Sequence, residues 1–369
     1  MSMRTVHRLI YREVLSAVAF TTLAFLALMF FFDFVDQLGR IGRSGFTLTA
    51  AVLSTTLELP GRFYELFPIT VLIGSIYALA RLAQSSEFTI LRTAGLGPGR
   101  ALGMLTTLGV VFALLTLLVG DWVAPAAGQK SVSLKALASG GLSVGPAGAW
   151  MRDRIDYPSG EQRTVSVHVS RLGAAGELQW VRIYEFDPGG RLVRRIEAHQ
   201  GVADDDGRWI LTNARVDQWE GQAGTVAVEQ MPTMLWSSNL KASVVSAAVL
   251  PVGTMTTMEL WRYSRHLSQQ DQAFALHAIA FWKKALYPMA CFVMLGLALP
   301  FAYLHARGGG ISWKVFGGIM IGISFMVFNS LSSHLGLLQG WSPWVAAAAP
   351  GLLYLVLSLG AFAWLVRYR

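Results

Sequence analysis

Residues 315–366 read VFGGIMIGISFMVFNSLSSHLGLLQGWSPWVAAAAPGLLYLVLSLGAFAWLV, without one Asp, Glu, Lys or Arg. A bilayer core about 30 Å thick is crossed by about 20 apolar residues in helical form, because lipid offers no partner to an unpaired backbone group. The stretch is too long for one crossing. Gly336 to Pro343, with Gly340, Ser342 and Pro343, carries turn chemistry and divides it in two. Outward from there the same pattern recurs at Val14–Phe32, at Leu59–Ala80 with Arg62 and Glu65 in its first turns, at Ala101–Gly120 and at Ala285–Ala306. Six spans result. The first follows Arg4, Arg8 and Arg12, yet it is too long for a signal peptide and lacks a small-residue cleavage site.

Composition agrees with this reading. Of 369 residues 53% are hydrophobic and only 14% charged, against about 25% charged in an ordinary soluble domain. The net charge of +8 allows a nucleic-acid or an anionic-membrane partner, and position separates the two. Residues 126–265 hold 15 basic and 14 acidic side chains, which leaves 15 basic and 8 acidic for the remainder. Nucleic-acid binding is disfavoured, since the excess sits at span ends. Arg4, Arg8 and Arg12, then Arg81, Arg92 and Arg100, then Arg307 and Lys314, and finally Arg367 and Arg369 fall on one face of a six-span topology. The positive-inside rule makes that face cytoplasmic, with both termini on it. One cysteine, Cys291, and seven scattered histidines argue against a structural zinc site. No Gly-Lys dipeptide occurs, so there is no Walker A loop, and neither a nucleophile elbow nor an HExxH helix is present. The chain offers no positive sign of an enzyme.

Between the third and fourth spans the pattern changes to period two, as in Thr164–Val169 and parts of Leu178–Phe186. Asp187-Pro188-Gly189-Gly190 and Asp206-Gly207 are turn signals. The expectation is an extracytoplasmic β-sandwich or jelly roll over roughly Leu142–Leu250, with Trp150, Trp180, Trp209, Trp219 and Trp236 in its core or packed on its sheets. Its edges offer unpaired backbone groups to a similar domain of a partner; a passive cap is the competing reading. The domain plan is residues 1–125 as spans one to three, 126–270 as the β domain with connectors, and 271–369 as spans four to six.

Two further segments have unusual chemistry. Between spans two and three, about 84–96, Ser85 or Ser86 caps a short helix with Glu87 in its first turn, and Gly95 with Pro98 ends it. Phe88, Ile90, Leu91 and Leu96 make it more apolar than a solvated connector. At the outer end of span one Arg40 and Arg43 follow an acidic, aromatic run, and Glu58, Arg62 and Glu65 share one face of span two. Local Glu–Arg pairing is one explanation. The other is an anion-binding rim over an apolar cavity, joined by Lys130, Lys135 and Lys284.

These segments together resemble the lipopolysaccharide-export permeases of the LptF/LptG family, and within it the LptG type. The matching pieces are Phe34-Val-Asp-Gln-Leu38, Leu82-Ala-Gln-Ser-Ser-Glu87 running into Thr93-Ala-Gly95, Trp122-Val-Ala-Pro125, and Gly318-Ile319 with Gly322. Their order and spacing agree over essentially the whole chain. The resemblance implies a bacterial inner-membrane permease with a periplasmic jelly roll, paired with an LptF-like permease and driven by two LptB-like ATPase subunits. ATP and magnesium would be bound by the ATPase, with no cofactor in this chain. Ser86, Glu87, Phe88, Ile90, Leu91, Arg92, Gly95 and Leu96 would dock on that ATPase, with Glu87 contacting an arginine. Lipopolysaccharide would lie in an outward cavity. Its acyl chains would rest against Phe30, Phe67, Ile321 and Phe325, and its phosphates near Arg40, Arg43, Arg62 and Lys135. An LptC-like single-span protein would receive the lipid and place its helix near span one. Asp33 departs from the family pattern, where a base commonly stands. A membrane-anchored assembly or scaffold protein with a periplasmic binding domain is the competing function. Mechanotransmission-type ABC proteins have four spans, not six.

Overall fold

The computed structural model describes residues 3–39, 41, 47–84, 98–139, 142–143, 149–156, 162–172, 177–203, 208–220, 225–237, 251–267, 273–303 and 311–367. In chain order these form α1 (Met3–Leu38), α2 (Leu48–Gln84), α3 (Pro98–Leu118), a π turn (Val119–Val123) and α4 (Ala124–Ser139). Strands β1 (Leu142–Ser143), β2 (Ala149–Asp156), β3 (Gln162–Leu172), β4 (Leu178–Phe186), β5 (Leu192–Ala203), β6 (Trp209–Glu220) and β7 (Thr225–Trp236) follow. The chain continues as α5 (Thr257–Leu267), α6 (Ala273–Tyr303), α7 (Ile311–Gln339) and α8 (Pro343–Arg367). Among the described residues six helices are long and apolar enough to cross a membrane. They are α1, α2, α3 running on into α4, α6, α7 and α8. The expected division of the last apolar run is present: α7 ends at Gln339, Gly340 adopts φ +65° and Pro343 opens α8. Glycine takes this left-handed conformation without a Cβ clash, and proline suits a first helical turn because its missing N–H would have no partner there.

The chain divides into two compact units, Met1–Asp33 with Glu58–Ala127 and Thr256–Arg369, and Phe34–Leu57 with Gly128–Met255. In the first, α2 is the most enclosed helix. Its Leu72, Ile76 and Leu79 are buried with Val14 and Val18 of α1, Leu105 and Phe112 of α3, Met294, Leu295 and Leu299 of α6 and Phe325 of α7. Lipid tails are as apolar as leucine, so helices in a bilayer associate through close packing and interhelical hydrogen bonds, and small residues permit the approach. A Cβ on Gly74 would stand 2.7 Å from the Val18 backbone, and Cβ atoms on Gly318 and Gly322 would each stand 2.6 Å from Ile76 and Ile69. The glycines of the span-five motif therefore let α7 reach α2. Thr22 and Thr70 hydroxyls meet at 2.8 Å between α1 and α2, and the Ser332 hydroxyl donates to the Ala346 carbonyl at 2.7 Å between α7 and α8. Leu114, Leu118, Val327 and Val356 remain exposed; such contiguous apolar surface on helices of this length is what lipid covers.

The second unit holds the β domain together with the adjoining ends of α1 and α2 and with α4. Gln37, from the Phe34–Leu38 motif, is buried and accepts the Ser54 hydroxyl at 2.6 Å. The Ser54 carbonyl in turn accepts the Ser131 hydroxyl at 3.2 Å. That motif thus has a structural task, joining α1, α2 and α4. The inserted all-β domain is present as expected. Its described strands pair antiparallel in the order β1-β3-β4-β5-β6-β7, with β2 also on β3. Consecutive strands β3 to β7 are neighbours, an up-and-down meander, and no jelly-roll crossover occurs among them.

Alternation of buried and less buried positions runs along β3 to β6 and slips at one row. Trp180 (φ 56°) and Asn213 (φ 51°) have left-handed backbones, common for Asn and an outlier for a bulky ring. The register sets Trp180, His199, Asn213 and Pro232 opposite one another across β4 to β7. At this row buried positions step by three instead of two, as from Leu178 to Val181, Ala198 to Gly201 and Leu211 to Ala214. The crease keeps Val165, Ile183, Ile196, Leu211 and Trp236 in one apolar cluster. Trp209 and Trp236 are core residues as expected. Trp150 and Trp180 take the other expected place, on the sheet surface: both are more than half exposed, their rings packed on His168 and His199. On the polar face Arg182, Glu197, Arg195, Asp217 and Arg215 form a ladder with contacts of 2.7–3.7 Å, which accounts physically for the domain's near-neutral charge.

The glycine contact gives the first prediction. Gly74→Leu drives a side chain into the α1 backbone and costs about 1–3 kcal/mol. The purified protein then melts several degrees lower in detergent. Gly61→Ala, with open space at its Cβ, leaves the melting temperature unchanged.

Candidate functional site

Charged residues gather in the helical unit where spans three and four lead to and from the β insertion. Arg62 on α2 forks Asp33 on α1, with Nε to Oδ2 and Nη2 to Oδ1 both 2.8 Å. Its contact to Glu65, one turn along α2, is longer at 3.5 Å. The pairing expected within one helix is therefore mainly a pairing between two, and it joins the residue that departs from the family pattern to the proposed rim base. A bidentate guanidinium–carboxylate pair is directional and charge-assisted, while partial exposure of both groups keeps its net contribution to about 1 kcal/mol.

Across from this pair, Pro125 has no N–H to give the Asp121 carbonyl. The chain takes up the slack in the π turn, where the Ala124 N–H donates to the Val119 carbonyl five residues back. Such a bulge re-aims side chains. Asp121 consequently accepts the Thr257 N–H of α5 at 2.7 Å and lies 3.9 Å from Nζ of Lys284 on α6. The absent side chain of Gly120 leaves room for the Tyr64 ring, which packs on Tyr287 with centroids 4.6 Å apart. The Tyr287 hydroxyl donates to the Glu65 carbonyl at 2.5 Å. Lys283 feels the charge of Glu65. The Trp122–Pro125 motif and the Arg62 turn are thus parts of one belt over α1, α2, α3 and α6.

The other sequence-predicted residues fall as follows. Phe67 and Phe325 are buried, Phe67 between the rings of Phe63 and Phe112 and Phe325 against Tyr354; both are committed to packing between helices. Ile321 is partly buried against the same core, and Phe30 is half-buried on α1. Lys135 lies on α4, in the second unit. Arg40, Arg43 and the segment Ser86–Leu96 lie outside the described residues. Sequence reading missed Asp121, Lys283, Tyr64 and Tyr287 as members of the belt. Only Pro125, at a helix start that continues an earlier helix, signalled the turn that aims Asp121.

Residues 8–367 match the family described as lipopolysaccharide export system permease LptF/LptG. The chain belongs to this family. It is 24% identical to lipopolysaccharide export system permease protein LptG of Haemophilus influenzae over 356 residues, 96% of each chain. With the protein of the same name from Escherichia coli it is 26% identical over 357 residues, 95% of this chain and 96% of that one. Membership, with six membrane-capable helices, makes it a multi-pass permease of the inner membrane, a class in which the transmembrane chain is not itself catalytic.

Asp33→Leu leaves Arg62 without its fork and lowers the melting temperature in detergent. A second change, Arg62→Met, restores at least half of that loss, a coupling of about 1 kcal/mol. Strictly additive losses in the double variant would show the pair to be uncoupled.

Proposed function

We propose that this chain is the LptG-type half of an ABC transporter that draws lipopolysaccharide out of the inner membrane and hands it to a periplasmic β bridge toward the outer membrane. The observation that carries this reading is the extent of the family match, which runs from residue 8 to 367 and takes in the six apolar helices and the inserted sheet together. Chain-wide order of elements is harder to reach by chance than any one motif.

In this reading both termini and the segment about 84–96 are cytoplasmic, supported by the basic residues that flank those span ends. The chain has no phosphate-binding loop of its own. ATP and magnesium would sit on two LptB-like subunits, and Glu87 with Phe88, Ile90, Leu91 and Leu96 would dock there. Closure of the ATPase pair would push the docked segment inward, and the cavity shared with an LptF-like partner would shrink. Only a difference in how the two states of the permease fit the ATPase can do this work. Acyl chains would lie on half-exposed positions such as Phe30 and Ile321. Because Asp33 already neutralises Arg62, the phosphates would rely on Arg40, Arg43 and Lys135. The β domain would pass the lipid to an LptC-like protein whose sheet continues the bridge.

Glu87→Ala is expected to reduce co-purification with the ATPase and to lower ATP-dependent lipopolysaccharide release from proteoliposomes at least threefold. Unchanged release with unchanged association removes the coupling role. If the reconstituted wild-type complex releases no lipid on ATP addition, the assembly or scaffold reading takes its place. Arg40→Glu with Arg43→Glu is expected to weaken lipopolysaccharide crosslinking while assembly persists, and undiminished crosslinking would remove the anion rim.

A further inference from the structure

Large rings on a polar sheet surface need a physical reason, because apolar area gains free energy by leaving water. Two tryptophans stay out on the polar face of the β domain. Trp150 on β2 is 57% exposed and Trp180 on β4 is 52% exposed. Both rings are held in place. Trp150 stacks on Tyr184 with centroids 5.9 Å apart and 21° between the planes, and lies against His168 at 4.6 Å. Trp180 lies against His199 at 4.3 Å. Backing of this kind removes rotamer freedom before a ligand arrives, so less is lost when one binds.

Trp180 is also a place where the chain accepts unfavourable backbone. Its φ of 56° is costly for a bulky residue, whereas glycine or asparagine takes that conformation easily. In the same row β6 meets the same demand with Asn213 at φ 51°. The crease by itself therefore does not call for tryptophan. Nor does the core, since the Trp180 ring is not part of the apolar cluster of the sheet. Backbone strain that packing does not explain points to a surface with a function.

The register aligns Trp150 with His168 and Arg182 across β2, β3 and β4, and Trp180 stands two residues along β4 from Arg182. At about 4.8 Å between strands and about 3.3 Å per residue, the two tryptophan backbones are roughly 12 Å apart. Arg182 lies between them, with its Nε 3.3 Å from Glu197 Oε1, and Arg195 with Asp217 extends the strip of paired charges.

This arrangement selects its occupant by chemistry. A polyanion needs a surplus of cations, and Arg182, Arg195 and Arg215 each face a carboxylate. The apolar face of a partner protein would bury these ion pairs in a dry interface, at a desolvation cost. A sugar fits both features. The C–H groups on its faces suit the electron-rich face of an aromatic ring, and its rim hydroxyls donate to carboxylates and accept from guanidinium N–H groups without breaking the pairs. We propose that this face of the β domain is a carbohydrate platform, on which an uncharged stretch of oligosaccharide lies with one sugar on Trp150 and another on Trp180. Only the identity of the sugar rests on the export reading, in which it is the saccharide part of the exported glycolipid, held outside the apolar cluster.

The test uses the full chain in detergent with the partners it retains. The probe is the dephosphorylated core oligosaccharide freed from lipid A by mild acid, and saturation-transfer NMR reads its binding. Trp180→Asn suits the left-handed backbone, so the melting temperature is expected to hold or rise while oligosaccharide binding falls at least fivefold. Trp150→Ala is expected to weaken binding to a similar degree, and Trp150→Tyr, which keeps a ring, to retain most of it. No binding by the wild type, or equal binding by the wild type and both ring-deletion variants, overturns the proposal. So does loss of a co-purifying protein from those variants with oligosaccharide binding unchanged. ATP-dependent lipid release separates the two readings: release without oligosaccharide binding removes the platform alone, and oligosaccharide binding without release removes the export reading alone.

Discussion

The helical unit depends on how closely other helices can approach α2. In lipid no water-driven force pulls apolar helices together, so enclosure of one span has to come from contact at short range. Gly74 admits α1 on one side of α2, and Gly318 with Gly322 admit α7 through Ile76 and Ile69. Whatever α2 displays at its charged turn inherits that rigidity. Arg62 can fork Asp33 because α1 is held within backbone distance four turns below, and Tyr64 can lie against Gly120 because α3 shares the same core.

The β domain has a different logic. Its meander has only one ladder per neighbouring pair, so the buried face has to come from bending the sheet. The row through Trp180, His199, Asn213 and Pro232 supplies the bend at the cost of unfavourable backbone at two residues. Proline adds to it, since it gives no N–H to the ladder. The polar face carries arginines and carboxylates in alternation, paired with each other.

The six spans were legible because charge is nearly forbidden in them, a constraint that acts residue by residue and needs no partner. The β insertion was legible for the same kind of reason, from alternation within single strands. The crease was not, although steps of three such as Leu211 to Ala214 stand in the sequence, because one slip looks like noise until the register aligns it across four strands. The site was half legible. Helical spacing put Glu58, Arg62 and Glu65 on one face and so favoured pairing within α2. It had no means of ranking Asp33, 29 positions away on another helix. Phe67 and Phe325 were set against acyl chains by the family resemblance alone, and composition does not distinguish a ring packed between helices, as both are here, from one packed on acyl chains.

The charge arithmetic carries one more step. Among the described residues the belt sets Arg62, Lys283 and Lys284 among Asp33, Glu58, Glu65 and Asp121, so it has no surplus of positive charge to offer. The polar face of the sheet is balanced as well. An excess of +8 that is absent from both must lie where the chain meets the edges of the bilayer. A phosphate approaching the insertion side would therefore gain no net attraction from the belt. Neutral within the bundle and positive at its margins is the distribution that lets a membrane protein keep anionic lipid at its edge without drawing uncompensated charge into its core.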